Sequence, residues 1–221
     1  MADGHMSSAS GAVVERTMFK RLSILEKRPG DDQAFFSRYW QERHGPLVAR
    51  LPLIRTYVQN HVEEAYAPTS FRVGGIVELQ FDDPAAMEEA FAADASRAVM
   101  ADEANFLGNA AGYVIGDSSV RMADQFGKLV VLLAHGGDQA GVTHFEAALR
   151  RFPGFVQLIR DDVASTITRP GSARSGERVD SFFHLYFKDE ADARRAGPQV
   201  AELAWGSFKL GVFRMRTVRI V

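Results

Sequence analysis

Cysteine is absent from the 221 residues. That rules out disulfides, thiolate nucleophiles and Cys-based zinc sites together. Long apolar runs are also missing, so no stretch reaches the roughly 20 residues that a membrane-spanning helix needs. Neither sign of charge is in large excess. Lys and Arg number 26 against 28 Asp and Glu, for a formal net charge of −2, and no basic run stands out. This balance argues against nucleic acid or a membrane as the main partner. The phosphate-cradling patterns G-x-G-x-x-G and G-x-x-x-x-G-K-[ST] and the nucleophile elbow G-x-S-x-G do not occur, so dinucleotide, NTP and α/β-hydrolase readings fall away. The six histidines show neither H-x-x-x-H nor H-E-x-x-H spacing, and no metal site is expected.

What is present is ordinary for a soluble globular protein: 46% apolar and 24% charged residues. The length fits one large domain or two of about 110 residues. Lack of cysteine agrees with a reducing cytoplasm. Residues 1–16 are small and polar with little periodicity and have no apolar segment of the signal-peptide kind; Gly4-His5-Met6 reads as a vector junction. This segment is expected to be disordered.

The chain is written twice. Phe19-Lys20-Arg21-Leu22 resembles Phe126-Gly127-Lys128-Leu129, 107 residues on, and Leu79-Gln80-Phe81-Asp82-Asp83 resembles Leu185-Tyr186-Phe187-Lys188-Asp189, 106 residues on. Near-constant spacing at two distant points points to an internal duplication, with units over 17–122 and 123–221. Each unit reads strand, helix, strand, strand, helix, strand. In the first, strands are expected near 19–27, 54–61, 75–81 and 113–120, with helices near 32–43, 84–94 and 96–106. Asp83-Pro84 is a helix start, and Gly45-Pro46 a helix stop. In the second, strands are expected near 128–134, 156–160, 181–187 and 213–221. Thr143 to Glu146 has the form of a capping box, a second helix begins near Asp189, and 163–180 reads as a loop. The βαββαβ order is the ferredoxin-like split unit, a four-stranded antiparallel sheet with both helices on one face. Two such units bury their bare sheet faces against each other. The expected fold is therefore α+β, two ferredoxin-like units closing an intramolecular α/β barrel, and a homodimer of such chains is compatible with it.

The chemistry gathers in residues 36–61. Phe36, Trp40 and His44, spaced i, i+4, i+8, share one helix stripe, which points an imidazole inward beside two aromatic rings. At a helix end, with burial opposing the macrodipole, that imidazole suits a general acid/base; the alternative is a buried histidine that caps the last carbonyls. Tyr57, Gln59 and His61 share one strand face and Asn60 takes the other. Tyr57 is a candidate hydrogen-bond donor to a substrate carbonyl or enolate oxygen, or else a core tyrosine. Asn60 and His61 either reach the site or close the strand end. Asp102 and Phe106, spaced i, i+4, both face the sheet, where Asp102 can orient His44. Glu78 and His184 occupy equivalent positions, out of phase with their apolar strand faces, and are expected to pair inside the barrel. His135 and His144 are expected to be exposed.

The segments LEKRPG, FFSRYWQERHGP, LPLIRTYVQNHV, VELQFDD and ADEANFL, in that order over roughly residues 19–120, resemble the EthD family of dimeric α/β-barrel proteins. The second unit resembles it in layout alone and reads Arg151-Phe152-Pro153-Gly154 in place of the His-Gly-Pro tip. The resemblance implies a protein that uses no metal or organic cofactor. Relatives in the wider superfamily include muconolactone-type isomerases, dehydratase-like enzymes of aromatic polyketides, and cofactor-free monooxygenases. In methylmuconolactone isomerase-like sequences a histidine and a tyrosine fall on His44 and Tyr57, and a cysteine falls near Leu79. The resemblance and the residues together imply a cofactor-independent isomerase or dehydratase acting on a small apolar carbonyl, lactone or aromatic polyketide-like substrate. His44 and Tyr57 would be catalytic, and Trp40, Asn60, His61, Leu79, Asp102 and Phe106 would surround the substrate. A non-catalytic small-molecule carrier and a cofactor-free monooxygenase are the alternatives.

Overall fold

The structure is a computed structural model that describes residues 18–66, 71–115, 126–167, 178–203 and 208–221. Eight strands form a closed barrel in the order β1-β3-β2-β8-β5-β7-β6-β4. The first unit supplies β1 (Phe19–Lys27), β2 (Thr56–Tyr66), β3 (Gly75–Phe81) and β4 (Leu107–Ile115), and the second supplies β5 (Gly127–Ala134), β6 (Phe155–Ile167), β7 (Ser181–Phe187) and β8 (Lys209–Arg219). Within each unit the order is that of a ferredoxin-like sheet, β4-β1-β3-β2 and β8-β5-β7-β6. The units join edge to edge along two antiparallel seams, β2 with β8 and β4 with β6. Closure leaves no free sheet edge, and it does so within one chain.

Aspartates start several of the helices, Asp83 as expected. Asp32 accepts from the Phe35 N–H to open α1 (Gln33–Tyr39), Asp83 from Ala86 to open α3 (Pro84–Ala92), and Asp189 from Asp192 to open α6 (Glu190–Ala201). Between α3 and β4 lies α4 (Asp94–Glu103). The Thr143 box does not open a helix. Asp138 accepts from the Gly141 N–H and starts α5 at Gln139 (Gln139–Leu149), so Thr143 lies inside it and its hydroxyl bonds back to the Gln139 carbonyl. β4 begins at Leu107, six residues before the expected strand, because the small residues 108–112 pair tightly with β1; a Cβ on Gly108 would stand 2.7 Å from the Lys27 carbonyl. β6 is far longer than expected and takes in Val163 to Ile167 from the expected loop, because it must span both β7 and β4. Residues 1–16 and 168–177 lie outside the described residues.

Gly45-Pro46 does not stop the first helix. After α1 the backbone widens into a π turn over Trp40–His44, in which the Gly45 N–H reaches the Trp40 carbonyl, and then continues as α2 (Gly45–Val48). The wide turn absorbs the clash that proline imposes on the preceding turn, and Pro46 falls at the start of α2, where a missing N–H matters least. His44 therefore sits within a continuous helical segment, and the end-of-helix dipole does not act on it.

Strand alternation sorts the side chains into three layers. Leu129, Val131, Phe183 and Leu185 pack outward under α5 and α6. Leu25, Val77, Leu79 and Phe81 pack outward with Phe36, Trp40 and Phe106 of the first unit. Leu22, Ile24, Ile76, Val130, Phe182 and Phe213 fill the barrel. A buried polar network joins that interior. Glu78 lies 3.2 Å from Lys20 Nζ and 3.1 Å from Lys128 Nζ, Lys20 also pairs with Asp161, and His184 Nε2 is 3.1 Å from Asp161. Glu78 and His184 meet at 3.8 Å. Strand register makes the network pseudo-symmetric: Lys20 answers Lys128, Glu78 answers His184, and Asn60 answers Asp161. Two formal positive and two formal negative charges thus balance across the units, and burial keeps the His184 imidazole on the neutral side of its ordinary titration.

Candidate functional site

The outward face of the first unit's sheet carries more than core. Between it and its helices lies a narrow pocket, partly open to solvent, with a cavity volume of about 40 Å³, well under the roughly 300–1,000 Å³ of sites that enclose a drug-sized ligand. His44 enters it from the π turn, Tyr57 from β2, Arg21 and Ser23 from β1, Val77 and Leu79 from β3, and Glu103 from the end of α4.

His44 is 5% exposed, and its ring tilts against Phe106 with 4.7 Å between centroids. Its Nδ1 lies 3.0 Å from Asp102 Oδ2, a contact made across 58 residues of sequence. The other Asp102 oxygen accepts from the Tyr39 hydroxyl at 2.8 Å and from the Asn105 amide at 3.0 Å. Burial pushes the Asp102 carboxyl up, but the bonds from Asn105, Tyr39 and His44 outweigh it and hold it below the usual carboxylate range. An ionised carboxylate at Nδ1 selects the tautomer with hydrogen on Nδ1, which makes Nε2 the basic nitrogen of the neutral ring.

Tyr57 is fully buried. Its oxygen accepts from Trp40 Nε1 at 3.1 Å and from the Gln59 amide at 2.6 Å. Gln59 is held in turn: its amide also donates to the Trp40 carbonyl, which accepts the Gly45 N–H of the π turn as well, and its oxygen lies 3.0 Å from His61 Nε2. Burial raises the Tyr57 phenol well above its ordinary value, more than those two donors lower it, so it stays an O–H.

The expected site residues are thus divided by place. His44, Tyr57 and Leu79 line the pocket. Asp102 and Phe106 hold the His44 ring, and Trp40 stands behind Tyr57. His61 is a layer further back, its ring 4.5 Å from Trp40. Asn60 is on the other side of the sheet, in the barrel interior, donating to Glu78 and accepting from Lys128 and Thr217. Strand alternation sends it there, which corrects its expected place at the substrate. His135 is buried, not exposed, because its ring accepts from the Gly137 N–H while Asp180 binds its backbone; His144 is exposed. Arg21, Ser23 and Glu103 are pocket residues that the sequence reading missed. The signal available was the repeat itself. By register, the second unit places Leu129, Val131, Leu158 and Phe183 where the first has Arg21, Ser23, Tyr57 and Val77. These side chains are buried in the second unit's core. Polar residues at positions the same fold elsewhere fills with hydrocarbon mark a site.

The fold is a closed α/β barrel of two ferredoxin-like units, with an imidazole–carboxylate pair outside one sheet. Residues 28–110, less than half of the chain, match the EthD domain, so the first unit is similar to that family. No protein of curated function matches the sequence. Among solved structures, an anthrone oxidase-like protein is similar at a TM-score of 0.59 and 9% identity, covering 93% of this chain and 94% of that one. An ethyl tert-butyl ether D (EthD) family protein of Bacillus halodurans is 25% identical over 41% of this chain and 88% of its own, at a TM-score of 0.35. A monooxygenase-like protein of Fusobacterium nucleatum aligns over 91% of this chain and 93% of its own with 11% identity and a TM-score of 0.49. Among the described residues no helix is long and apolar enough to cross a membrane, and no group of His, Asp and Glu is placed to hold a metal ion.

Proposed function

We propose that the chain is an enzyme that removes a proton from carbon next to a carbonyl in a small, largely apolar substrate, with His44 as general base. The observation that carries this reading is the Asp102–His44 pair at the wall of a pocket. Nε2 of His44 takes the proton. The imidazolium that forms is stabilised by Asp102, whose lowered pKa keeps it ionised. The electron pair of the broken C–H bond moves onto the carbonyl oxygen, and the Tyr57 O–H donates to the resulting enolate. Returning the proton to a different carbon completes an isomerisation. Giving it to a β-hydroxyl as that group departs as water completes a dehydration. No organic cofactor or metal takes part in either. The second reading, cofactor-free monooxygenation, starts from the same enolate and adds dioxygen; the fold likeness to an anthrone oxidase-like protein favours keeping it. A non-catalytic small-molecule carrier is the alternative to an enzyme; a cytoplasmic location, and compatibility with a homodimer, are further expectations of the same kind.

Deuterium exchange tests the shared step without knowledge of the product. A panel of aromatic ketones, unsaturated lactones and anthrones is incubated with the protein in D2O, and exchange at the acidic carbon is followed by NMR. The wild type should exchange one class well above background. His44→Ala should lose about 10² to 10⁴ of that rate, and Asp102→Asn most of it, with affinity unchanged within a few-fold. Compounds that bind without exchange would make the protein a carrier. Oxygen uptake during turnover would decide for the monooxygenase.

A further inference from the structure

We infer that Arg21 forms an anion subsite, and that the substrate carries a carboxylate or an equally acidic oxygen that this guanidinium binds. The inference rests on the pocket of the proposed enzyme and names the substrate class it would take. Arg21 lines that pocket, is 6% exposed, and lies with its guanidinium carbon 4.7 Å from the centre of the Phe91 ring. A guanidinium laid on an aromatic face keeps its N–H groups in its own plane, directed past the ring edge. It has five donors, so a single partner does not exhaust it. Ser23, two residues on along the same strand face, adds a hydroxyl to the same wall.

The second unit is an internal control. At the register positions of Arg21 and Ser23 it has Leu129 and Val131, both fully buried in a dry core. The fold therefore does not need a cation at this place, and burying one is costly. The cation lies instead on a sheet face that has a pocket. Glu103 lines the same pocket, so a bound anion would face its carboxylate there. With Arg21 on the acid group and His44 entering from the helix side, a substrate is held at its anionic end while the proton leaves from another carbon.

The test uses matched probes, 1-naphthylacetate and 1-naphthylacetamide, titrated into the full-length protein near pH 7 with NMR or calorimetric detection. The wild type should bind the carboxylate about tenfold or more tighter than the amide, as expected for a charge-assisted bond. Arg21→Leu, which adopts the second unit's own residue, should abolish the difference while keeping the amide affinity. Glu103→Gln should tighten carboxylate binding alone. Equal affinities in the wild type, no carboxylate binding, or a preference that survives Arg21→Leu would overturn the subsite. An intact preference together with no deuterium exchange for any probe would instead leave the subsite standing and remove the enzymatic reading.

Discussion

Acidifying the solution from pH 6.5 to pH 5 should cost this fold about 2 kcal/mol at one side chain, His61. Its ring is 1% exposed, rests on Trp40, and has its Nδ1 buried with no hydrogen-bond partner. Burial pushes the imidazole down to about 3, with the Arg216 charge acting in the same direction. An unfolded chain protonates this histidine near 6.5, whereas the folded one does not until about 3. Between those values the unfolded state holds the extra proton, so stability is fully present above 6.5 and falls as the pH drops. The limiting slope is about 1.4 kcal/mol per pH unit. Urea unfolding of the wild type and of His61→Gln at pH 7.5 and at pH 5.0 isolates the effect. The glutamine keeps an amide for Gln59 but cannot titrate, and taking the difference of differences removes the other five histidines and every carboxylate. If the two proteins lose the same stability between the two pH values, His61 is not buried neutral, and the chain of bonds through Gln59 to Tyr57 is wrong.

Two further outcomes follow from the same packing. Asp161→Asn should destabilise by roughly 3–5 kcal/mol, read by chemical denaturation, because it strips one partner from Lys20 inside the barrel. With the Asp161 carboxyl held down to about 2 by Lys20 and His184 against the upward push of burial, the stability it confers is present above pH 4 and should disappear as the pH falls through about 2; the variant should lack that limb. Val77→Phe installs the second unit's residue in the pocket. It should abolish binding of active-site ligands while shifting thermal unfolding by only a few degrees, since the added ring occupies space that is empty; an unchanged affinity would place the binding site elsewhere.

Local chemistry was readable without coordinates wherever it acts within a few residues. Asp83 before Pro84 announced a helix because a short carboxylate satisfies the free N–H groups of a first turn wherever it stands. The 106-residue repeat and the period of two predicted that Glu78 and His184 would meet indoors, since register carries a whole strand to one face. The same alternation, followed strictly, separates Asn60 from Tyr57. Tertiary structure alone decided the rest. The π turn that carries His44 past Gly45-Pro46 is tied to the sheet beneath, where Gln59 donates to the same Trp40 carbonyl that accepts the Gly45 N–H. Asp102 reaches His44 across 58 residues, a separation no periodicity encodes. Closing the barrel buries the inner face of the sheet and helices cover part of the outer one, so the polarity of Arg21 or Ser23 cannot say by itself whether solvent, an ion-pair partner or a pocket awaits it. That is set by which face the helices cover and where their packing leaves a gap.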